Sequence, residues 1–326
     1  MSEFLLELYS EEIPPKLQIE ARNQIKYIIE KFLKEEGIDY KNCIEYSSPN
    51  RLSVFIKNLP EKIKIKSAEI KGPKVGVPEN ILRSFIKSHS ASEQSLFKKV
   101  TEKGEFYFLK TVEKQLLVKD FLIDILPNSL IAINWKKSMK WSTTNLMWGR
   151  PLRSIFAVFN EKKLSFKFEH LESTDNIFIE KDLIFKSKKI KNFKDYVSFL
   201  RNNKIIVNQN EREQIILKKF NSVSKLKNYK EKFNQRLLEE VINIVEDPNV
   251  LLVNFDKEYL QIPEEIIIST LEKHQRYFPI FDSRERLTNY FFVVSNKKDE
   301  KKIIIEGNKR VVDARLSDAK FFWEKD

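Results

Sequence analysis

The first apolar block, Phe4 to Tyr9, is short and nearly continuous, which is the signature of a strand buried on both faces. A turn at Ser10-Glu-Glu-Ile-Pro-Pro15 follows it. From Pro15 to Glu36 the period changes: Leu17, Ala21, Ile25, Ile28 and Phe32 recur at helical spacing, and Gly37 ends the run. Cys43 to Tyr46 and Leu52 to Ile56 read as two strands joined at Ser48-Pro-Asn-Arg51. The opening unit is therefore β-α-β-β, and it predicts an α+β layer.

Lys71-Gly-Pro-Lys-Val-Gly-Val-Pro78 reads as a turn-rich crossing. A short helix (Glu79 to Ser88), a strand (Phe106 to Thr111) and a helix (Gln115 to Ile125, stopped by Pro127) come next, then strands at Ser154 to Phe159 and Leu164 to Phe168. Beyond about residue 175 the chain turns lysine-rich (Lys181 to Lys194) and more helical, with amphipathic patterns over Tyr196 to Leu200 and Asn210 to Glu246. Asn208 or Asn210 is placed to cap the second, with Glu211 or Glu213 at the capping-box position. Strand patterns return at Val250 to Phe255, Tyr277 to Phe281 and Tyr290 to Ser295, and a helix from Gly307 to Trp323 would turn Val311, Ala314, Leu316 or Arg315, Ala319 and Phe322 to one face. The expected class is α+β: mixed or antiparallel sheets with helices over 1–175, divisible near 60–75, and a helix-rich α+β region over 176–326.

Composition sets the class of partner. The 326 residues are 41% hydrophobic with 25 Phe, enough for real cores. The formal net charge of +12 favours an anionic partner such as nucleic acid. Lys far outnumbers Arg, and Ile and Asn are abundant, so an AT-rich coding bias raises Lys everywhere and clustering counts for more than the total. One interval does cluster. Trp135 to Arg153 holds three of the four tryptophans and five cations (Lys136, Lys137, Lys140, Arg150, Arg153), with no Asp or Glu between Asp124 and Glu161. Cations interleaved with flat rings suit a polyanion; a buried Trp cluster ringed by surface lysines is the alternative.

Other chemistries find little support. Six glycines form neither a phosphate loop nor a dinucleotide fingerprint. His89, His170 and His274 lack metal spacing, no Gly-x-Ser-x-Gly elbow occurs, and lone Cys43 sits in an apolar strand where an inert core role is expected. Glu11 and Glu12 could form a carboxylate pair, but neighbours on a turn usually point apart; Glu12 is better read as serving the N-terminus of the following helix. No catalytic residue and no metal site are expected. No window approaches the ~18 apolar residues of a membrane span, and the start lacks a secretory pattern, so a cytoplasmic protein is expected.

Several stretches, in order, resemble the β subunit of the bacterial heterotetrameric glycyl-tRNA synthetase. They are Leu6-Glu-Leu-Tyr-Ser-Glu-Glu-Ile-Pro-Pro15, Ser48-Pro-Asn-Arg-Leu52, Lys71-Gly-Pro73, Lys137-Ser-Met-Lys-Trp141 with Arg150-Pro151, His274-Gln-Arg-Tyr-Phe-Pro279 with Val294-Ser-Asn296, and Gly307-Asn-Lys-Arg-Val-Val312 with Arg315-Leu-Ser-Asp-Ala-Lys-Phe-Phe322. Two departures stand out: Asn176-Ile-Phe-Ile179 occupies the place of the family's Arg-Gly-His-Arg-Phe segment, and Asn50 replaces an arginine. The resemblance covers about the first half of the family's length and does not reach its HD-like and anticodon-binding regions, as in a fragment or a shortened gene product.

The resemblance implies ATP-dependent attachment of glycine to tRNA(Gly) by an α2β2 enzyme. The adenylate-forming centre lies in the α subunit, ATP and Mg are used by the holoenzyme rather than bound by this chain, and β contributes tRNA binding and assembly. The cations carried by these stretches, Lys71, Lys136, Lys137, Lys140, Arg150, Arg153, Arg276, Lys309, Arg310 and Arg315, are the expected nucleic-acid contacts. Two other readings stand beside this one: a stand-alone basic RNA-binding module, and a hydrolase-like or editing enzyme built on Glu11 and Glu12. Within the stretch from Trp135 to Arg153, Trp141 and Trp148 are then expected to pack as anchors while the cations face RNA or the partner subunit.

Overall fold

A computed structural model describes residues 2–325 except 66–68, 90–91, 111–113, 142–144, 182 and 231–233. The elements run β1 (Glu3–Ser10), α1 (Pro15–Glu35), β2 (Asn42–Ser48), β3 (Arg51–Lys57), β4 (Lys62–Ile65), β5 (Glu69–Lys74), α2 (Glu79–Ser88), β6 (Leu96–Thr101), β7 (Gly104–Lys110), β8 (Lys114–Leu117) and α3 (Val118–Ile131). They continue with β9 (Met139–Lys140), β10 (Met147–Trp148), β11 (Leu152–Phe159), β12 (Lys162–Lys163), β13 (Lys167–Phe168), β14 (Leu171–Thr174), β15 (Asn176–Lys181), β16 (Ile184–Lys189), α4 (Phe193–Asn202), α5 (Gln209–Lys227) and α6 (Gln235–Ile242). The chain closes with β17 (Asn249–Asn254), α7 (Glu264–Ser269), a π-helical turn (Thr270–Gln275), β18 (Phe278–Phe281), β19 (Leu287–Ser295) and α8 (Ile303–Trp323). The class is α+β.

Contacts divide the chain into two compact units: 1–59 with 125–326, and 60–124. The change of character near residue 175 falls inside the first. In the smaller unit β5-β7-β6 form one antiparallel sheet and β4-β8 a second pair. The stretch expected as a turn-rich crossing is in part an edge strand, interrupted by a register shift between Lys71 and Lys74 that absorbs Gly72 and Pro73. A Cβ at Gly72 would lie 2.5 Å from the Phe85 ring, so α2 packs where only glycine fits.

In the larger unit β1 is the centre of a seven-stranded sheet of order β13-β14-β11-β1-β3-β2, with β12 on β11 and one parallel pair, β11 with β14. Both faces of β1 are buried, as its continuous apolar run requires. Leu5, Phe55, Phe156 and Val158 pack on one side with Ile177 and Ile179 of β15 and with Tyr196 and Leu200 of α4. Helix α1 packs against β2 and β3, burying Ala21, Ile25, Ile29 and Leu33.

A second sheet, β17-β19-β18, shows the same two-sided logic. Phe291 and Val293 of β19 pack with Leu271, Val312 and Leu316, whereas their alternating neighbours Phe292 and Val294 pack with Ile216, Phe220 and Val241.

Several expected bounds move. Helix α3 starts later, at Val118, because 114–117 pair as β8, and it runs through Pro127 to Ile131. Proline removes one N–H bond, and Leu122, Leu126 and Leu130, all fully buried, hold the helix on both sides of it. The pattern over Asn210 to Glu246 is two helices, broken at Asn228 in the left-handed conformation (φ 54°); 231–233 lie outside the described residues. Asn208 is the cap, accepting from the amides of Asn210 and Glu211. Leu164 to Phe168 forms only the short β13, and α8 begins four residues before Gly307; it buries Leu316, on the expected face, together with Val312, and leaves Val311 and Phe322 exposed. Helix α1 is entered through Pro14, with no side-chain cap from Glu12.

Candidate nucleic-acid interface

The Trp135–Arg153 stretch folds as a short hairpin, β9 with β10, leading into β11, and 142–144 lie outside the described residues. Its tryptophans are core. Trp135, Trp141 and Trp148 are 8%, 7% and 2% exposed, so none offers a ring face to a base. Trp135 and Trp148 meet with ring centroids 5.2 Å apart, Trp148 meets Phe168 edge-on at 5.4 Å, and Trp141 meets His170 at 4.9 Å. Gly149 sits against this cluster: a Cβ there would lie 2.2 Å from the Trp135 ring.

The five cations of the stretch divide. Lys136 is paired with Glu20 of α1. Arg153 pairs with Glu180 at 2.5 Å and Glu11 at 3.7 Å and lies over the Tyr9 ring; its hydrogen bond to Glu180 raises its pKa. Arg150 donates to the carbonyl of Gly149 at 2.7 Å. Lys137 and Lys140 are exposed, with no acid partner among the described residues.

The remaining candidates lie on other elements. Lys71, in the smaller unit, lies 3.8 Å from the centre of the Phe106 ring. Arg276 adopts a left-handed conformation (φ 58°) at the end of the π-helical turn and donates to Glu240 at 3.0 Å. Lys309 bridges Asp256 at 2.8 Å and Asp313 at 2.5 Å, and these bonds raise its pKa. Arg310 and Arg315 project from α8 into solvent. Four of the ten candidates (Lys136, Arg153, Arg276, Lys309) are thus engaged with carboxylates of the chain itself, and engagement lowers what each offers a phosphate.

Two of the stretches that carry the resemblance do meet. Tyr277, from His274–Pro279, donates to Asn308 Oδ1, from Gly307–Val312, and so fastens α8 to the start of β18. Asp256 and Asp313 fasten the same helix to the loop after β17 through Lys309.

The sequence reading missed the buried charges beneath β1. Glu7 accepts from Arg51 Nη1 at 2.7 Å and from the Tyr196 hydroxyl at 2.7 Å, and Ser53 Oγ lies 2.8 Å from that hydroxyl. Arg51 also donates to the Phe178 carbonyl at 2.5 Å and faces the Tyr9 ring at 4.5 Å. Arg212 is fully buried; it donates to the carbonyls of Ile242, Ile206, Val207 and Ser47, and burial pulls its pKa down to about 10. The signal existed for Arg212. Gln209, Arg212, Ile216 and Phe220 share one helical face, and the last two are apolar.

Glu11 is committed to Arg153, and Glu12 is exposed beside it. Among the described residues, no three of His, Cys, Asp and Glu gather to hold a metal, and no helix is long and apolar enough to cross a membrane. Burial pushes the Cys43 thiol up to about 12, out of the nucleophilic range.

Comparison with known proteins places the chain. Residues 4–326 match the family described as glycyl-tRNA synthetase beta subunit. The glycine--tRNA ligase beta subunit of Rickettsia bellii (strain OSU 85-389) is 35% identical over 328 residues, covering 100% of this chain and 50% of the relative. That of Dictyoglomus turgidum is 33% identical over 330 residues, covering 99% of this chain and 48% of the relative. The chain spans about half the length of the curated relatives it matches. It belongs to the glycyl-tRNA synthetase beta subunit family.

Proposed function

We propose that this chain supports ATP-dependent attachment of glycine to tRNA(Gly) as a β subunit, by binding tRNA and by assembling with a catalytic α subunit in an α2β2 enzyme. The observation that carries the reading is the match to the β-subunit family across 4–326, nearly the whole sequence. The physical chemistry agrees with a supporting role. Its glycines form no Gly-x-Gly, its one thiol is held protonated, and its most strongly placed charges, Glu7, Arg51 and Arg212, are spent inside the fold. Lys137, Lys140, Arg310 and Arg315 are exposed, with no acid partner among the described residues, and available to phosphates or to acidic side chains of α. ATP and Mg would be bound by the α subunit.

The test is aminoacylation of tRNA(Gly) by an α subunit with and without this chain, together with capture of α on the immobilised chain. Capture of α and a rise in charging support the proposal. Salt-sensitive RNA binding with neither capture nor stimulation would establish the stand-alone RNA-binding module instead. Glycyl-adenylate formed by the purified chain would sink the division of labour.

A further inference from the structure

A cavity of about 200 Å³ opens between the β15–β16 hairpin and the end of α4, lined by Ile179, Lys181, Ile184, Lys186, Asn202, Asn203 and Lys204. Three of these seven residues are lysines and none is an acid. The register explains the convergence. Ile179 pairs with Lys186 and Lys181 with Ile184, and directly opposed residues share a face, so both lysines point toward α4. Glu180 lies on the opposite face and is taken by Arg153. Lys204 enters from the other wall, its backbone held left-handed (φ 61°) as the residue just past the helix.

Capping of α4 does not account for these lysines. The helix end is already satisfied: the Lys204 amide donates to Arg201 O at 3.0 Å, the Ile205 amide to Leu200 O at 3.0 Å, and Asn203 Nδ2 to Phe199 O at 2.7 Å. Lys181 Nζ donates to Lys204 O at 3.0 Å and Lys186 Nζ to Asn203 Oδ1 at 2.8 Å. An ammonium has three donors, so each keeps two. Like charges gathered around one small cavity repel, and an oxyanion seated among them reverses the sign of that interaction while accepting the free donors. The strand is exposed along its length: Ile184, on the cavity face, is 55% exposed, and Phe185, opposed to Glu180 on the other face, is 61% exposed.

We propose that this cavity is a phosphate site for a polynucleotide backbone, with Lys181, Lys186 and Lys204 as donors. The choice of RNA rests on the function proposed above; the anion site itself rests on the hairpin register and the satisfied helix end.

The experiment measures binding of labelled tRNA(Gly) to the full chain across a salt series. It compares wild type, K181Q/K186Q/K204Q and K218Q/K219Q/K225Q, the last removing the same charge from exposed lysines of α5. Glutamine keeps an amide donor for Lys204 O, and K181R/K186R/K204R restores charge. The expected result is affinity lower by roughly tenfold for the cavity variant, a plot of log affinity against log salt shallower by about 1, recovery in the arginine variant, and a much smaller change in the α5 variant. A variant that melts below wild type is read through the arginine version, which keeps the charge.

Equal losses in the cavity and α5 variants, with wild type binding well, overturn this site alone. Wild type that fails to bind RNA overturns the tRNA-binding reading and this inference with it. Stronger binding to phosphatidylserine vesicles than to RNA, lost in the cavity variant, overturns the polynucleotide assignment in favour of a membrane surface.

Discussion

Gly149→Ala asks whether the tryptophan cluster fixes the geometry of the 135–153 stretch. Gly149 does not have a positive φ, so alanine carries no backbone penalty there. Elsewhere such a change stabilises a protein by about 0.4–1 kcal/mol, by restricting the unfolded chain. Here the new methyl would lie 2.2, 2.4 and 2.8 Å from three atoms of the Trp135 ring. That ring is buried and has little room to move, since Trp148 meets it at 5.2 Å and itself packs edge-on against Phe168. Overpacking of this kind costs about 1–3 kcal/mol. The steric term wins, and a net loss of about 1–2 kcal/mol is expected.

Urea unfolding followed by far-ultraviolet circular dichroism measures it, since tryptophan fluorescence would mix the signals of the cluster. Trp135→Leu alone should cost about 2–4 kcal/mol through the cavity it leaves. Adding Gly149→Ala to that background should cost nothing or recover part of the loss, a coupling of about 1–2 kcal/mol. If Gly149→Ala is as stable as wild type, or if its cost is unchanged when Trp135 is leucine, the reasoning fails.

Three further expectations concern the frame of the larger unit. Glu7→Gln keeps the shape but leaves the Arg51 guanidinium without its counter-charge, and a loss of about 3–5 kcal/mol is expected in urea; Glu7→Gln with Arg51→Met should recover much of it. Cys43 ionises near 9.0 in the unfolded chain and about 12 in the fold, because burial disfavours the thiolate. Above pH 9 the unfolded state therefore binds fewer protons than the native one, so stability falls with rising pH, by up to about 1.4 kcal/mol per pH unit until about pH 12; that component should vanish in Cys43→Ala. Asn208→Ala removes the acceptor for two amides at the start of α5 and should cost about 1 kcal/mol by thermal unfolding.

The legible parts of this fold were those with punctuation. Helix α2 is found where the sequence puts it, Glu79–Ser88, because Pro78 sets its start and its apolar residues repeat with helical period. Strand β1 reads directly from a run in which five of six residues, Phe4 to Tyr9, are apolar or aromatic. The α5–α6 break was invisible because the left-handed turn is made by an asparagine at 228 rather than by glycine or proline, and the apolar period continues across it. Leu164, Phe166 and Phe168 alternate as a strand would and are all buried, but Ser173 Oγ takes the Leu164 carbonyl and the Phe166 amide, and ladder pairing is confined to Lys167 and Phe168. Arg212 shares a helical face with Ile216 and Phe220, which points it inward, whereas Arg51 was unreadable as a buried group, since nothing local announces that a carboxylate and a carbonyl from distant segments will surround it.

The stretches that carry the family resemblance hold exposed cations, Lys137, Lys140, Arg310 and Arg315, beside residues that the fold has already committed. Arg51 is spent on Glu7, Trp141 on the core, Arg150 on its neighbour's carbonyl, Tyr277 on Asn308, and Gly72 on admitting Phe85. These motif positions are held by the fold, because each is a close approach or a buried polar contact that one side chain satisfies. The lysines around the β15–β16 hairpin belong to none of the motifs, and in the sequence they look like bias toward lysine. Only the strand register, which sets Lys181 and Lys186 on one face and sends Glu180 to the other, turns that bias into a cavity with a chemical preference. Resemblance therefore locates the frame of this chain with the cations its stretches expose, and the gathering of lysines without an acid partner among the described residues adds a further place where an anion can be held.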